Sequence, residues 1–125
     1  MNEKTIHKQI CEYIRLQYPN VIFNSDLSGI RLTIGQARQV KALRSSRAFP
    51  DLVIYEPRGG FNGLFIELKA DNIKLFKKRT GEFANDHFRE QGEMLGKLKE
   101  RGYYARFAIG FDEAKEIIDW YLSGK

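Results

Sequence analysis

Two apolar segments joined by a turn-rich stretch place the strongest constraint on the fold. Residues 51–55 and 64–68 are mostly apolar, and the eight residues between them include two consecutive glycines. This pattern predicts two strands connected as an antiparallel hairpin with a longer loop, whose glycines form a turn rather than a phosphate-binding loop. If the hairpin is centred on Gly59, Asp51 lies directly opposite Glu67.

The flanking segments predict helices and shorter strands. Ile6, Ile10 and Ile14 recur at helical spacing, which predicts a helix over residues 3–17 that Pro19 ends. Before the hairpin we predict a short strand over 21–24, a turn over 25–29, a strand or extended arm through Ile30, Leu32 and Ile34, and a basic helix over 35–46. After the hairpin we predict a basic loop over 69–81 and a helix that runs from Asn85 or Asp86 to Arg101 and is stopped by Gly102. The last two predicted elements are a strand over 103–109 and a helix over 113–122 capped by Asp112. This order of elements predicts an α/β fold.

Length and composition limit the class of protein. The 125 residues have the size of one domain, and 42% apolar with 30% charged residues is typical of a globular protein rather than a disordered or membrane one. No apolar run approaches the roughly 20 residues that cross a bilayer, and the first residues lack the apolar core of a secretory signal. Cys11 is the only cysteine, which excludes an internal disulfide and a thiolate zinc cluster, and His7 and His87 lie in no metal-ligand spacing. We expect a cytoplasmic protein formed by a single domain over residues 1–125, without a membrane partner.

Basic residues outnumber acidic ones, 21 to 16, which gives a net charge of +5 and suits a polyanionic partner. Two clusters can contact phosphates without reading sequence. Their members are Arg38, Lys41, Arg44 and Arg47, and then Lys74, Lys77, Lys78 and Arg79. The alternative for each cluster is a solvated surface without a ligand.

The predicted hairpin brings two carboxylates together. Side chains alternate along a strand, so Glu67 and Lys69 share one face. Opposed residues have Cβ atoms roughly 4.5–5.5 Å apart on the same face, which sets Asp51 beside Glu67. Two ionised carboxylates about 4 Å apart repel by roughly 4 kcal/mol at an effective dielectric constant near 20. A divalent cation relieves this repulsion, and Mg²⁺ or Mn²⁺ prefers such oxygen ligands.

The same residues indicate a reaction. Mg²⁺ or Mn²⁺ held by Asp51 and Glu67, with the carbonyl of Leu68 in reach, leaves positions for a phosphate and a water molecule. Lys69 can orient or deprotonate that water, or stabilise charge on the phosphate. The implied chemistry is phosphodiester hydrolysis. The alternative, an ordinary strand start and an exposed ion pair, is disfavoured because charges in such apolar strands need a partner or a function.

A glutamine interrupts the apolar stripe of the helix predicted after the basic loop. Phe88, Leu95 and Leu98 follow helical spacing, and Gln91 occupies a position that otherwise belongs to this stripe. A glutamine there needs a polar partner. The alternative is an amide at the margin of the core.

Phe-Pro-Asp at residues 49–51, Phe-Ile-Glu-Leu-Lys at 65–69 and the following helix with Gln91 resemble the VRR-NUC domain, in particular its stand-alone phage-type members. This domain is the virus-type replication and repair nuclease branch of the PD-(D/E)XK superfamily. The resemblance implies a restriction-endonuclease-like core with a central mixed β-sheet flanked by helices. It also implies that Asp51, Glu67 and the Leu68 carbonyl bind the metal, that Lys69 is the catalytic lysine, and that Gln91 lies near the active site.

The resemblance carries further expectations about activity. It implies a Mg²⁺- or Mn²⁺-dependent endonuclease that acts on DNA, branched or Holliday-junction-like, in replication, recombination or repair, in the cytoplasm of a bacterial or phage-infected cell. Related resolvases are dimers, which implies a homodimer. Helix one of such resolvases supplies a further acidic residue. Glu3, which projects with the apolar stripe, is a better candidate for this metal ligand than Glu12, although a solvated glutamate is an equal alternative.

Two other functions compete with this interpretation. A DNA-binding or assembly module with the same fold would have the same basic surface but no reason to keep a repulsive carboxylate pair. A sequence-specific restriction endonuclease is disfavoured because little chain remains for a recognition domain.

Overall fold

The computed structural model describes residues 1–25, 33–43 and 48–124, apart from the side chain of Val40. In chain order its elements are α1 (Glu3–Gln17), β1 (Phe23–Ser25), α2 (Ile34–Ala42), β2 (Leu52–Ile54), β3 (Leu64–Lys69), α3 (Asp86–Glu100), β4 (Tyr104–Ile109) and α4 (Gly110–Ser123). Across the described part of the chain, no helix is long and apolar enough to cross a membrane. The predicted α/β class is confirmed.

The four strands form one mixed sheet in the order β1-β2-β3-β4. Strand β2 is antiparallel to both β1 and β3, and β4 runs parallel to β3. Parallel neighbours require a crossover connection, which the loop after β3 and helix α3 provide. This arrangement confirms the predicted mixed sheet flanked by helices.

The hairpin of β2 and β3 has the predicted register. Leu52 pairs with Ile66 and Ile54 pairs with Leu64. At the tip, Gly59 and Gly60 have φ values of 56° and 86°, the left-handed values that a two-residue type I′ turn requires. Strand β2 is shorter than predicted and begins after Asp51. Continuing the register by one residue nevertheless sets Asp51 opposite Glu67.

The two faces of β3 pack against different helices. Its even-numbered residues, from Leu64 to Leu68, join the main core with the isoleucines of α1 and the apolar face of α4. Phe65 packs on the other face, against Leu95 and Leu98 of α3. Glu67 and Lys69 alternate with the core residues, so they share one face as predicted, and the structure shows that this is the face covered by α3.

The region before β2 departs from the prediction. Strand β1 begins two residues later than expected, and Ile34 starts α2 instead of continuing an extended segment. The cause is reciprocal capping, in which Thr33 Oγ1 accepts from the Gln36 N–H at 3.1 Å and Gln36 Oε1 accepts from the Thr33 N–H at 3.0 Å. The rest of the predicted extended segment, including Ile30 and Leu32, lies outside the described residues, as does the predicted end of this helix.

The last two helices differ in how well their starts were predicted. Helix α3 begins as expected, since Asn85 Oδ1 accepts from the Phe88 N–H at 2.8 Å. Helix α4 begins at Gly110, so Asp112 lies in its first turn and is not its cap. Gly110 has a φ of 84°, which lets the chain leave β4 and enter the helix without a loop.

Candidate active site

The end of the hairpin holds three buried charged residues. Asp51, Glu67 and Lys69 are exposed by only 3%, 2% and 4%. Asp51 Oδ2 accepts a hydrogen bond from the Leu68 N–H at 2.9 Å, which fixes the carboxylate at the point where β2 no longer pairs with β3. Asp51 is also close enough to Glu67 and Glu3 to act on both carboxyl groups electrostatically. The structure therefore brings together the three residues that the sequence predicted.

Gln91 has the polar partner that its position required. Its Nε2 donates to Oε1 of Glu67 across the gap between α3 and the sheet. Oε2 of Glu67 is buried and has no hydrogen-bond partner within the described part of the chain. A buried carboxyl oxygen without a partner is costly, so this atom is available to a ligand.

Burial dominates the protonation of Glu67. Desolvation first, and then the neighbouring Asp51 carboxylate, raise the pKa of Glu67 to about 10, against a smaller opposing effect of Lys69. At neutral pH and without a cation, the Glu67 carboxyl therefore holds a proton. The repulsion expected between two ionised carboxylates is relieved in this state because the Glu67 carboxyl is neutral.

Lys69 has an aromatic neighbour that the sequence analysis did not assign to the site. Its Nζ lies 4.6 Å from the centroid of the Phe88 ring, at a distance where the ring face attracts a cation. Phe88 is in the first turn of α3, three residues before Gln91, so both side chains reach the same face. That spacing was the available signal, but it was interpreted as core packing alone.

Glu3 approaches the site from the start of α1. Burial, followed by the charge of Asp51, raises the pKa of Glu3, while Lys69 acts in the opposite direction. Among the described residues, however, no three His, Cys, Asp or Glu side chains form a group able to hold a metal. The role of Glu3 as a metal ligand stays a prediction, and Glu12 is exposed.

The donor atoms at the site fit a small divalent cation. In an antiparallel pair the N–H and C=O of one residue point to the same side of the strand, so the Leu68 carbonyl points toward Asp51 as its N–H does. Two carboxylates and a carbonyl are the hard oxygen donors that Mg²⁺ and Mn²⁺ prefer. The unpartnered Oε2 of Glu67 is an independent observation that favours such a ligand.

Six of the eight basic residues predicted to contact DNA lie in the described part of the chain, and all six are exposed. The loop between β3 and α3 exposes four cations that form no ion pair with any described residue; they are Lys74, Lys77, Lys78 and Arg79. Arg38 and Lys41 are exposed on α2. Arg44 and Arg47 lie outside the described residues.

Comparison with known proteins supports the architecture. A solved structure described as a VRR_NUC domain protein is similar to this chain with a TM-score of 0.70 and 21% sequence identity, over 98% of this chain and 89% of that chain. The sequence matches no family model, and no curated protein matches it significantly. At this identity the likeness establishes the shared fold, as the resemblance predicted.

Proposed function

We propose that this chain, which has the fold of a VRR_NUC domain protein, is a metal-dependent DNA endonuclease formed by one domain over residues 1–125. The observation that carries the proposal is the buried pair of Asp51 and Glu67, with Lys69 on the same face and one Glu67 oxygen unpartnered. A module that only binds DNA gains nothing from burying two acids against each other.

Asp51, Glu67 and the Leu68 carbonyl are the groups that would hold Mg²⁺ or Mn²⁺. When bound, such a cation offsets charge on the phosphodiester and lowers the pKa of a water molecule. Because the carboxyl of Glu67 is protonated without a cation, loading must release that proton. The bond from Gln91 then keeps the Glu67 carboxylate oriented.

Lys69 supplies the positive charge for the reaction. Phe88 holds its ammonium group beside the two acids, where it can orient the attacking water or stabilise charge on the phosphate oxygens. The water oxygen forms a bond to phosphorus as the bond to the leaving sugar oxygen breaks, and the leaving oxygen takes up a proton. Lys69 is thus the group we assign to catalysis, with Gln91 as a positioning residue.

The resemblance and the shared fold support a finer statement about substrate and assembly. We extend the proposal to branched, Holliday-junction-like DNA cut by a homodimer in replication, recombination or repair, within a bacterial or phage-infected cell. The net charge of +5 and the exposed loop cations favour a polyanionic substrate.

A cleavage assay tests the proposal. The wild type is incubated with linear, nicked, flap and four-way-junction DNA in Mg²⁺, Mn²⁺ or EDTA, beside Asp51→Asn, Lys69→Met and the exposed control Asp112→Asn. We expect metal-dependent cutting by the wild type and the control, with junctions preferred. Lys69→Met should slow cutting by about 10²–10⁴-fold but keep the metal-induced rise in melting temperature, whereas Asp51→Asn should lose both. Sedimentation should give a dimer.

Each alternative has its own outcome in this assay. Cutting by Asp51→Asn at the wild-type rate would make the site assignment wrong. Absence of metal-dependent cutting on every substrate would favour a binding module. Equal rates on linear and junction DNA would remove the proposed structure preference, and a monomer would remove the dimer.

A further inference from the structure

A cleft of about 400 Å³ runs along the outer edge of β4, between the loop after β3 and the start of α4. Strand β4 is the last strand of the described sheet, so the cleft lies beside the sheet and is not part of the carboxylate site. Three aromatic rings and three charged groups contribute to its lining: Phe76, Tyr104, Phe107, Lys99, Arg106 and Glu113.

A row of aromatic contacts joins this cleft to the proposed active site. Phe76 lies 4.8 Å from Phe83, ring centroid to centroid, and Phe83 lies 6.1 Å from Phe107. Phe107 in turn pairs with Glu67 in the register of β4 and β3. Phe107 itself lines the cleft, so it is the residue that separates a ligand in the cleft from Glu67 on the neighbouring strand.

The ring of Phe76 is held in place with much of its surface open. It is 51% exposed, yet the loop around it is fixed by the hydrogen bonds from Lys77 N to Glu82 O at 2.6 Å and from Ala84 N to Leu75 O at 2.7 Å. Phe83 supports the ring from behind. A flat, rigid, exposed ring of this kind can stack on another planar group at little entropic cost.

The charges around the cleft favour an anionic ligand. Lys99 and Arg106 form no ion pair with any residue in the described ranges, and Arg106 Nη1 donates only to the Tyr104 hydroxyl at 3.5 Å. The unpaired loop cations on either side of Phe76 add to this excess. Glu113 contributes a carboxylate, which can accept a hydrogen bond from a ring or exocyclic N–H group of a base.

We propose that this cleft binds an unpaired nucleotide of the DNA substrate, with the base stacked on Phe76 and the phosphate near Lys99 and Arg106. Exposed aromatic rings beside cations are how proteins hold single strands without reading sequence. A base in an intact duplex is already stacked and cannot reach the ring. The inference rests on the proposed function for the identity of the substrate, and it makes Phe76 the residue that selects DNA with unpaired nucleotides.

Binding measured in EDTA tests the cleft separately from cleavage. Fluorescence anisotropy with labelled oligothymidylate and with a fully paired duplex compares the wild type, Phe76→Ala, Phe76→Trp and the control Ile22→Ala, which removes an apolar side chain that is 66% exposed and does not line the cleft. We expect Phe76→Ala to weaken oligothymidylate binding by roughly 5- to 100-fold and duplex binding by less than about twofold. Phe76→Trp should keep the wild-type affinity for oligothymidylate because it retains an aromatic ring. Ile22→Ala should change the affinity for neither DNA.

A second readout does not depend on truncating the ring. In the Trp120→Phe background, Phe76→Trp leaves a single tryptophan at the cleft, whose fluorescence should be quenched by oligothymidylate and not by the duplex. Unchanged fluorescence, wild-type oligothymidylate affinity of a folded Phe76→Ala, or equal losses on both DNAs would each overturn the inference. If the wild type cuts DNA and Phe76→Ala binds normally, only the cleft assignment fails; if Phe76 governs binding but nothing is cut, only the nuclease proposal fails.

Discussion

Glu67 has the environment least compatible with an ordinary structural role. Its carboxyl is 2% exposed and receives a hydrogen bond from Gln91, but its second oxygen has no partner among the described residues. Burial and Asp51 raise its pKa to about 10. A purely structural position would be filled more stably by an apolar side chain, so the acid is better explained by the ligand that it can bind.

The raised pKa of Glu67 predicts how the stability of the metal-free protein depends on pH. Between the unfolded value near 4.5 and the folded value of about 10, the folded state binds one more proton at Glu67 than the unfolded state. Stability from this group is therefore fully present below pH 4.5 and is lost as pH rises, by up to about 1.4 kcal/mol per pH unit. Urea unfolding in EDTA at pH 6, 7 and 8 measures this slope.

Replacing Glu67 tests whether this residue causes the pH dependence of the free energy of unfolding. Glu67→Gln should flatten the slope, whereas the exposed control Glu116→Gln should retain it. Added Mg²⁺ should stabilise the wild type more at pH 8 than at pH 6, because the cation and the proton compete for the same carboxyl. Equal slopes for Glu67→Gln and the wild type would contradict the assignment.

Sequence reasoning worked for residues whose placement depends on the backbone. The two apolar strands and the loop between them predicted a register that places Asp51 opposite Glu67, and a break in an apolar stripe identified Gln91. The turn itself is offset from that register: Arg58 pairs with Phe61 while Ile54 pairs with Leu64, so the chain carries one extra residue on the β2 side of the turn. Sequence reasoning missed the contact of Lys69 with Phe88 and the bond from the Leu68 N–H to Asp51. Both depend on side-chain rotamers and on how α3 lies across the sheet, which no local pattern specifies.

Helix α3 lies close to the loop that precedes it because it has no side chain at residue 92. A Cβ at Gly92 would lie 2.5 Å from Cζ of Phe83, whereas a Cβ at Gly96, one turn later, would meet nothing within 4 Å. Phe83 is itself packed between Phe76 and Phe107. The glycine therefore sets the distance between α3 and the loop.

Two matched substitutions in α3 test this packing. Gly96→Ala should raise the free energy of unfolding by about 0.5–1 kcal/mol, since alanine favours the helix. Gly92→Ala gains the same preference but displaces Phe83, a type of overpacking that costs about 1–3 kcal/mol, so the net change should be destabilising. Urea unfolding of both variants measures the difference, and stabilisation by Gly92→Ala would refute the close contact.

Helices with a capping residue, an apolar stripe and a terminating residue in the sequence were predicted within a residue or two of their observed bounds. Helices α2 and α4 were not. Helix α1 has a cap at Asn2, an isoleucine stripe and Pro19 beyond its end, so its predicted range is confirmed. Helix α2 also has a local signal, Thr33 with Gln36, but the alternation of Ile30, Leu32 and Ile34 predicted an extended segment instead. Helix α4 starts without a side-chain cap, because a glycine in a left-handed conformation replaces the loop, and a capping rule misplaces such a start.

At the scale of the whole molecule, the excess of positive charge matters less than its location. The net charge of +5 attracts any polyanion from a distance. Lys77 and Lys78, by contrast, are exposed without ion partners in the described structure, on the loop that joins β3 to α3. If this loop contacts phosphates, these two residues should displace counterions on binding, and equally charged residues elsewhere should not.

The salt dependence of duplex binding distinguishes local contact from general attraction. For B-form DNA the slope of log affinity against log salt changes by about 0.9 for each phosphate contact. The slope for the double variant Lys77→Gln with Lys78→Gln should therefore be shallower than the wild-type slope by about 1.8. Lys8→Gln with Arg15→Gln removes the same charge from exposed positions on α1 and should leave the slope unchanged. Anisotropy titrations in EDTA across a salt series measure both, and equal slopes for the two double variants would mean that the loop attracts DNA only through net charge.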